Sequence, residues 1–329
     1  MLNKILVYST ILLFLNTTKA ISSDIPILVI APSKKPQSIS TVGTSVVVLD
    51  EKFLQSSSEY FLGDVLSNNS TSANFFQNGG HGSTSAIQLR GLPKRYSTVY
   101  IDGVKMSDPS SVSGDFDFNH ILTSQISRVE ILKGNQSSVY GSGAIGGTIN
   151  ITTKKGKEGQ QKSLMFNAGS YKTHNYSASL SGADEISNYY LGFEKFHTDG
   201  MSAMTHNDEK DAYTNNSLIA SYGKSLSNNF NFKSNLRLSE TNKQYDKEIN
   251  TATANHNEEE DGVQASGNIS FEYQLNEKFN NTLTLANTYI KRIYQAAPGS
   301  GNTQKDLSLI HISEPTRPLY ISYAVFCLK

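Results

Sequence analysis

Four short blocks within residues 86–153 decide the fold of this chain. They read Ala86-Ile-Gln-Leu-Arg-Gly91, Ile101-Asp-Gly-Val104, Arg128-Val-Glu-Ile-Leu-Lys-Gly134 and Ser138-Val-Tyr-Gly-Ser-Gly-Ala-Ile-Gly-Gly-Thr-Ile-Asn-Ile-Thr-Thr153. Asp102-Gly103 between two apolar runs is typical of a tight hairpin whose turn needs positive φ. The stretch from Arg128 to Leu132 alternates polar and apolar residues, which predicts a half-buried strand. The β-branched run after Gly147 predicts another strand.

The glycine cluster at 141–147 could also be read as a phosphate-binding loop. Such a loop needs a strand before it, a helix after it and a Lys-Ser/Thr pair or a ribose-binding acid. Here the glycines lead into a strand and the lysine is missing. We therefore exclude a nucleotide site.

Taken in this order, the four blocks resemble the plug domain of TonB-dependent outer-membrane receptors. The resemblance implies an α+β plug domain over residues 38–156, followed by an antiparallel transmembrane β-barrel that has 22 strands when complete. It implies active uptake without bond chemistry, and therefore no enzyme, in the outer membrane of a Gram-negative bacterium. Its partners would be TonB with the inner-membrane energising complex, and outer-membrane lipid. We expect Arg90 to be the plug's contact with the barrel, and Glu130 or an acid of the barrel wall to pair with it.

The start of the chain has the pattern of an export signal. Residues 1–20 carry a positive charge, an apolar run of 11 residues and a small residue suited to cleavage; an uncleaved anchor is the alternative. Residues 21–37 then combine an apolar segment with a linker. The apolar segment resembles a TonB box, a β-prone stretch that adds to an edge strand of TonB, and a plain linker is the other interpretation. The TonB-box candidates are Ile25, Pro26, Ile27, Leu28, Val29, Ile30 and Ala31.

From residue 160 onward the pattern becomes that of repeated alternating strands. Phe230, Phe232, Leu236 and Leu238 alternate with polar residues, as expected when one face meets lipid and the other a wet lumen. We count about seven strands of roughly ten residues up to residue 306. Long polar connections are expected at 198–213 and 241–264. A soluble β-sandwich would show the same alternation. Seven strands cannot close such a barrel, so we expect a truncated one.

The last 23 residues of the chain, 307–329, do not continue the pattern of alternating strands. Residues 307–329 match, in identity and spacing, the translation of a transposon-end sequencing adapter followed by an index and a flow-cell primer. We expect this tail to be an artefact and the reading frame to be truncated near Asp306. The single cysteine, Cys327, lies in this tail, so disulfides and thiol chemistry are excluded from the rest, as suits an oxidising periplasm.

Composition narrows the function further. The formal net charge is zero and the sequence has no block of basic residues, so nothing indicates that the protein binds nucleic acid. The seven histidines are scattered without metal spacing, and no Ser/His/Asp arrangement stands out. A passive porin or adhesin would use the same strands but needs neither plug nor TonB box.

The ligand is predicted from a finer resemblance within the family, to the members that transport vitamin B12 (cobalamin). It implies substrate contacts at Thr84, Ala86, Pro93, Val112 and Ser113. It also implies a possible calcium site at Glu209, Asp211, Tyr245 and Asp246, because oxygen ligands from two loops suit calcium. A solvated acidic loop is the simpler interpretation of these acids. A ferric-siderophore receptor is the alternative function, since it would differ only in its loops.

Overall fold

The computed structural model describes residues 27–31, 36–70, 73–108, 111, 114, 116–202, 210–246, 257–276, 279–295 and 303–316. For Asp246, Asn257 and residues 303–316 it describes the backbone alone. The predicted signal (1–20) and residues 317–329 lie outside the described residues.

The plug is built around a five-stranded mixed sheet. Its strands are β3 (Ser45–Asp50), β6 (Ser97–Ile101), β7 (Val104–Met106), β8 (Ile126–Lys133) and β9 (Gly147–Thr153), in the order β3-β8-β9-β6-β7. Strands β6 and β9 run parallel, and the other pairs are antiparallel. Three short helices accompany the sheet: α1 (Glu51–Ser56), α2 (Leu62–Asn69) and α3 (Ser137–Tyr140). Two two-stranded ribbons complete the plug: β1 (Leu28–Val29) with β2 (Gln37–Ser38), and β4 (Ala73–Gln77) with β5 (Ser85–Leu89).

Strand β8 lies between β3 and β9 and is more deeply buried than its sequence pattern indicates. Val129, Glu130, Ile131 and Leu132 are all buried, so the prediction of a half-buried strand was wrong. Apolar side chains cover both faces of the strand: Val129 and Ile131 belong to the main core, and Leu132 packs in a second cluster with Tyr140.

The hairpin at Asp102-Gly103 is confirmed. Ile101 pairs with Val104, and the two turn residues have φ of 49° and 81°, values that a two-residue hairpin turn of this type requires. The Asp102 carboxylate accepts hydrogen bonds from the backbone amide (3.1 Å) and hydroxyl (2.7 Å) of Thr153. These bonds tie the turn to the end of β9.

The rest of the chain forms one eight-stranded antiparallel sheet, which we call the wall. Each strand pairs with the next in sequence, and the strands at the two ends of this order are not paired to each other, so the wall is a partial barrel. Its strands are β10 (Gly159–Ala168), β11 (His174–Ala183), β12 (Ser187–Thr198), β13 (Tyr213–Ser227), β14 (Phe230–Asp246), β15 (Asn257–Asn276), β16 (Phe279–Gln295) and β17 (Thr303–Thr316).

Eight strands begin at or before residue 303, one more than the roughly seven expected up to residue 306, and their lengths were underestimated. Strands β13 to β16 have 15, 17, 20 and 17 residues. The expected loop at 241–264 is largely strand, because β14 and β15 stay paired as far as Asp246 and Asn257. Polar residues in this extension bond across the ladder, for example Asn242 Nδ2 to Asp261 Oδ1 at 2.8 Å, so high polarity there does not indicate a loop.

The wall has an apolar outer face and a polar inner face. One row across it joins Phe193, Leu218 and Leu238 on the outer side. The next row joins Glu194, Ser217 and Ser239 on the inner side, and these three are buried against the plug side. The described residues contain no helix that is long and apolar enough to cross a membrane.

The two ends of the wall differ. The connections 184–186, 228–229 and 277–278 are short and share one end, which we call the short-turn end. The connections 199–212, 247–256 and 296–302 are longer and share the opposite end, the long-connection end. Tyr213 and Arg292 lie toward the long-connection end, and Lys233 and Thr284 lie toward the short-turn end.

Candidate functional site

The predicted TonB-box segment rests on the plug, on the side opposite the long connections. Ile25 and Pro26 lie outside the described residues. Within residues 27–31, Val29 and Ala31 are buried, whereas Ile27, Leu28 and Ile30 are each more than half exposed. The segment is anchored as a strand by β1–β2 pairing and by a bond from the Ile39 amide to the Ile27 carbonyl at 2.8 Å. Three apolar side chains are therefore exposed on a segment whose Leu28–Val29 part is a strand.

Three plug side chains, which we call the clasp, hold this segment: Arg128, Glu130 and Tyr140. The buried Glu130 carboxylate accepts from the amides of Ile30 (3.0 Å) and Ala31 (2.7 Å). Arg128 Nε donates to the same carboxylate at 2.7 Å, and its Nη2 donates to the Leu28 carbonyl. The Tyr140 hydroxyl donates to the Ala31 carbonyl. Hydrogen bonds to a charged acceptor are strong, and here a single carboxylate accepts from two backbone amides. The attachment of the segment therefore depends on a few side chains.

The clasp gives Glu130 partners that the sequence did not predict. These described partners, the segment and Arg128, lie within the plug, and a pairing of Glu130 with Arg90 at the contact with the barrel stays a prediction. Arg90 is exposed, and its guanidinium lies beside Gly134 within the plug. Arg90 follows the last residue of β5 and has a φ of 56°. A contact of Arg90 with the barrel stays a prediction.

The plug meets the wall through buried polar groups that the sequence did not single out. His120 Nδ1 lies 2.8 Å from the Tyr213 hydroxyl, and the His120 carbonyl accepts from Asn215 Nδ2 (3.2 Å) and Arg237 Nη2 (3.1 Å). Burial, reinforced by the positive charges of Lys243, Arg292 and Arg237, holds the pKa of His120 well below its usual range. The imidazole is therefore neutral in this contact.

Buried ion pairs make a second contact near the long-connection end. Asp108 of the plug, 1% exposed, pairs with Arg292 of β16. Arg292 Nε also lies 3.7 Å from Glu260 of β15, whose carboxylate pairs with Lys243 of β14 at 2.6 Å. Closer to the short-turn end, the side-chain oxygen of the plug residue Gln125 accepts a hydrogen bond from the hydroxyl of Ser217 in β13 at 3.0 Å. An arginine at an inward position of a strand, as at 237 and 292, is the sequence signal that could have located this interface.

Three of the predicted substrate residues are described by the structure. Thr84 and Pro93 are exposed and Ala86 is half-buried, whereas Val112 and Ser113 lie outside the described residues. Thr84 precedes β5 at the tip of the β4–β5 hairpin, and Pro93 follows the end of that strand. The structure therefore brings Thr84 close to Ala86 but not to Pro93 along the hairpin.

The hairpin tip is pressed against the wall. A Cβ added to Gly82 would lie 2.3 Å from the Tyr213 ring, and Gly82 has a φ of 81°. Asp117 fixes the base of the tip by accepting from the Ser85 amide at 3.1 Å. Because Tyr213 begins β13, the tip lies at the long-connection end, where Asp211 and Tyr245 of the predicted calcium site also lie.

The predicted calcium site is only partly described. The Gln244 amide bonds to the Ala212 carbonyl at 2.8 Å, which makes the neighbours Asp211 and Tyr245 adjacent across β13 and β14. Glu209 and the side chain of Asp246 lie outside the described residues. Among the side chains that are described, no group of three or more His, Cys, Asp or Glu is placed to hold a metal ion. Calcium therefore stays a prediction.

Comparison with known proteins agrees with this architecture. The TonB-dependent receptor plug domain family matches residues 38–148. The vitamin B12 transporter BtuB of Vibrio vulnificus is 27% identical over 223 residues, which are 67% of this chain and 36% of that protein. The chain thus has a plug domain of the TonB-dependent receptor type, followed by the strands of a partial barrel.

Solved structures show the same fold. A variant of the ferric enterobactin receptor of Pseudomonas aeruginosa aligns with a TM-score of 0.65 at 16% identity, over 84% of this chain and 47% of that one. The siderophore receptor PirA of Acinetobacter baumannii aligns with a TM-score of 0.64 at 16% identity, over 82% and 44%. This chain thus spans less than half the length of these proteins.

Proposed function

We propose that this chain is part of an outer-membrane receptor that takes up a large, scarce nutrient with energy delivered by TonB, and that it is not an enzyme. The observation that carries the proposal is the clasped segment 27–31. It contains the short strand Leu28–Val29 and exposes three apolar side chains, and an exposed β-forming segment is what strand addition to a partner sheet requires. The plug is attached to the wall by hydrogen bonds and ion pairs. Such contacts suit a plug that must detach from the wall and bind to it again during transport.

The outer face of the wall supports a membrane location. Leucine and aromatic side chains such as Leu191, Phe193, Leu236 and Leu285 are exposed there, next to inner positions that are polar. Alternation of this kind is what a barrel strand between lipid and a wet interior requires.

Cobalamin is our preferred ligand. The support is the similarity to the Vibrio vitamin B12 transporter and the glycine-rich hairpin tip, which offers backbone groups and little side-chain bulk to a wide ligand. Calcium held by Glu209, Asp211, Tyr245 and Asp246 would tie the connection 199–212 to the end of β14 and lower the entropy cost of binding. A ferric siderophore is the alternative ligand, since such a receptor would share the plug and the segment.

Energy coupling can be tested at Leu28 in the complete receptor. Leu28→Pro removes a backbone donor from the segment, so we expect uptake to be abolished while ligand binding is retained. Leu28→Ala keeps the backbone amide and should transport normally. Undiminished uptake by Leu28→Pro would show that residues 25–31 are a plain linker.

The ligand can be tested by equilibrium binding. We expect the complete receptor to bind cobalamin more tightly in calcium than in a chelator. Binding of a ferric siderophore and not of cobalamin, in both conditions, would favour the alternative.

A further inference from the structure

A cavity of about 580 Å³ lies between the plug and the first three strands of the wall. Its plug side consists of the end of α1, the loop 57–60, residues 123–125 and Lys154. Its wall side consists of residues of β10, β11 and β12. Cavities of about 300–1,000 Å³ are those in which proteins bind small molecules, so this one is large enough for a ligand.

Three buried polar side chains of the lining have hydrogen-bonding groups that the described residues leave unused. Thr123, Gln125 and Asn175 are 4%, 5% and 1% exposed. The Thr123 hydroxyl, the Gln125 amide nitrogen and the Asn175 amide oxygen have no partner among the described residues. The other amide atom of Gln125 is bonded to Ser217, and that of Asn175 donates to Glu194 at 2.8 Å. A buried polar group without a partner is costly, so an occupant that supplies partners here is stabilised.

The unused groups differ in kind, and this selects the chemistry of the occupant. An amide nitrogen donates, an amide oxygen accepts, and a hydroxyl does both. A ligand hydroxyl can serve all three, because it also donates and accepts. Ser163, Ser177 and Ser179 add further hydroxyl groups on the wall side of the lining. The cavity is therefore suited to an occupant that carries several hydroxyl groups.

The charged residues of the lining favour a neutral occupant. Both oxygens of the Glu194 carboxylate already accept, one from the Ser124 hydroxyl and the other from Asn175. Glu59 and Lys154 are the other charged residues of the lining, and burial lowers the pKa of Lys154. An anion would meet two carboxylates, and a cation would meet a partly buried ammonium. A neutral compound avoids both repulsions.

Two aromatic rings give the cavity an apolar component as well. Tyr60 lines it from the plug and Tyr190 from β12. The Tyr60 ring packs against Phe196, with ring centroids 5.2 Å apart, so its position is fixed by the contact between plug and wall. An aromatic face next to hydroxyl and amide groups suits a sugar ring, which has C–H groups on its faces and hydroxyls around its edge.

We propose that this cavity is a binding site for a small neutral polyhydroxylated compound, of the size of a mono- or disaccharide, that bridges the plug and β10–β12. The bound compound adds hydrogen bonds between plug and wall and so stabilises the docked plug. The site is separate from the hairpin tip at the long-connection end. It requires only that the plug is docked, and it does not rest on the proposed transport function.

The site is tested by titrating the complete receptor with glucose and with maltose in a calorimeter, in a detergent whose headgroup is not a sugar. We expect saturable one-to-one binding of a neutral sugar. Gluconate and glucosamine, which resemble glucose in size but carry a charge, should bind at least about tenfold more weakly. If neither neutral sugar binds saturably, the cavity holds water only and the proposal is overturned. Equal or tighter binding of a charged analogue overturns the neutral class.

Two pairs of variants locate the site. Thr123→Val removes the unpaired hydroxyl and keeps the shape of the side chain, so affinity should fall about fivefold. Thr148→Val makes the same change at a fully buried hydroxyl that also has no described partner but does not line the cavity, and it should bind as wild type does. Ser177→Phe fills the cavity and should abolish binding. Leu180→Phe is its control, because Leu180 pairs with Leu191 on the outer face.

The variants also separate loss of the site from loss of the fold. Thr123→Val removes a hydroxyl that makes no described bond, so without sugar its thermal unfolding should match that of wild type. It therefore decides the case if Ser177→Phe does not fold. Unchanged sugar affinity in Thr123→Val, or binding retained in a folded Ser177→Phe receptor, would place the sugar elsewhere and overturn the proposal.

Discussion

At the scale of single residues, the plug is held by polar groups that are withdrawn from water. His120 is 4% exposed and is surrounded by Tyr213, Arg237, Lys243 and Arg292. A protonated imidazole would add a fourth positive charge among three. The neutral ring is therefore part of the contact, and its titration should be visible in stability.

The first prediction concerns pH. Because the pKa of His120 is lowered in the folded protein, its contribution to stability is present above the unfolded value near 6.5 and is lost as pH falls through the folded pKa. Burial raises the pKa values of Asp102 and Asp117. The contribution of these two carboxyls to the free energy of unfolding therefore increases as pH falls. Comparing thermal unfolding of wild type and His120→Gln between pH 7.5 and 5 isolates the histidine; a parallel decline in both would contradict its role.

The second prediction compares two ion pairs. Removing one partner of a buried pair is strongly destabilising, so Asp108→Ala, which leaves Arg292 with Glu260 at 3.7 Å, should cost about 3 kcal/mol of the stability of the plug docked on the wall. In the exposed pair of Lys157 with Glu51, the lysine side chain is 61% exposed, and Glu51→Ala should cost less than about 1 kcal/mol. Denaturant unfolding of the plug measures both. Similar losses in the two variants would mean that burial does not decide the strength of the Asp108 contact.

At the scale of elements, the β4–β5 hairpin shows how a tip is placed by what it touches. The ladder pairs Phe76 with Ala86 and Gln77 with Ser85, and this local pairing sets the tip at residues 78–84. Contact with Tyr213 then sets where the tip lies on the wall. The glycines of the tip are consequently not equivalent.

The third prediction uses that difference. Gly82→Ala meets both a positive φ and the Tyr213 ring, so it should destabilise the docked hairpin by about 2–4 kcal/mol. Gly80→Ala is the control, because nothing lies within 4 Å of its added Cβ. Ligand affinity and plug unfolding should change in the first variant only. A neutral Gly82→Ala would mean that the tip is not seated on β13.

At the scale of the whole molecule, the two ends of the wall contact different parts of the plug. The long-connection end holds the hairpin tip and the Asp108–Arg292 pair, and the short-turn end holds the clasped segment. Between them the outer face of the wall runs as an apolar band. Ligand capture and energy input are thus proposed for opposite ends of one plug.

The fourth prediction tests the apolar band by depth. Leu236 lies six residues above the start of β14, which puts it about 14 Å from the short-turn end for tilted strands. Leu236→Arg should therefore reduce insertion by about 2–4 kcal/mol, whereas Leu275→Arg, one residue from the end of β15, should cost about 1 kcal/mol or less. Folding into lipid vesicles measures both. Equal costs would contradict a membrane-spanning band at this height.

The sequence by itself determined the features that depend on near neighbours. The turn at Asp102-Gly103, the strand after Gly147 and the alternation of the wall strands all follow from backbone conformation and side-chain period, which act over a few residues. The same local rules failed where pairing extended strands into polar sequence, as in β14 and β15. They also failed at β8, whose burial depends on both neighbouring strands.

Only the tertiary structure decided which polar groups meet. Glu130 holds amides 99 and 100 residues away, and His120 meets Tyr213 at a separation of 93. At such distances along the chain, a contact is set by sheet order and by the docking of plug against wall, and the residue types alone allow many partners. A buried carboxylate must find donors, but the fold decides that for Glu130 these are the amides of residues 30 and 31.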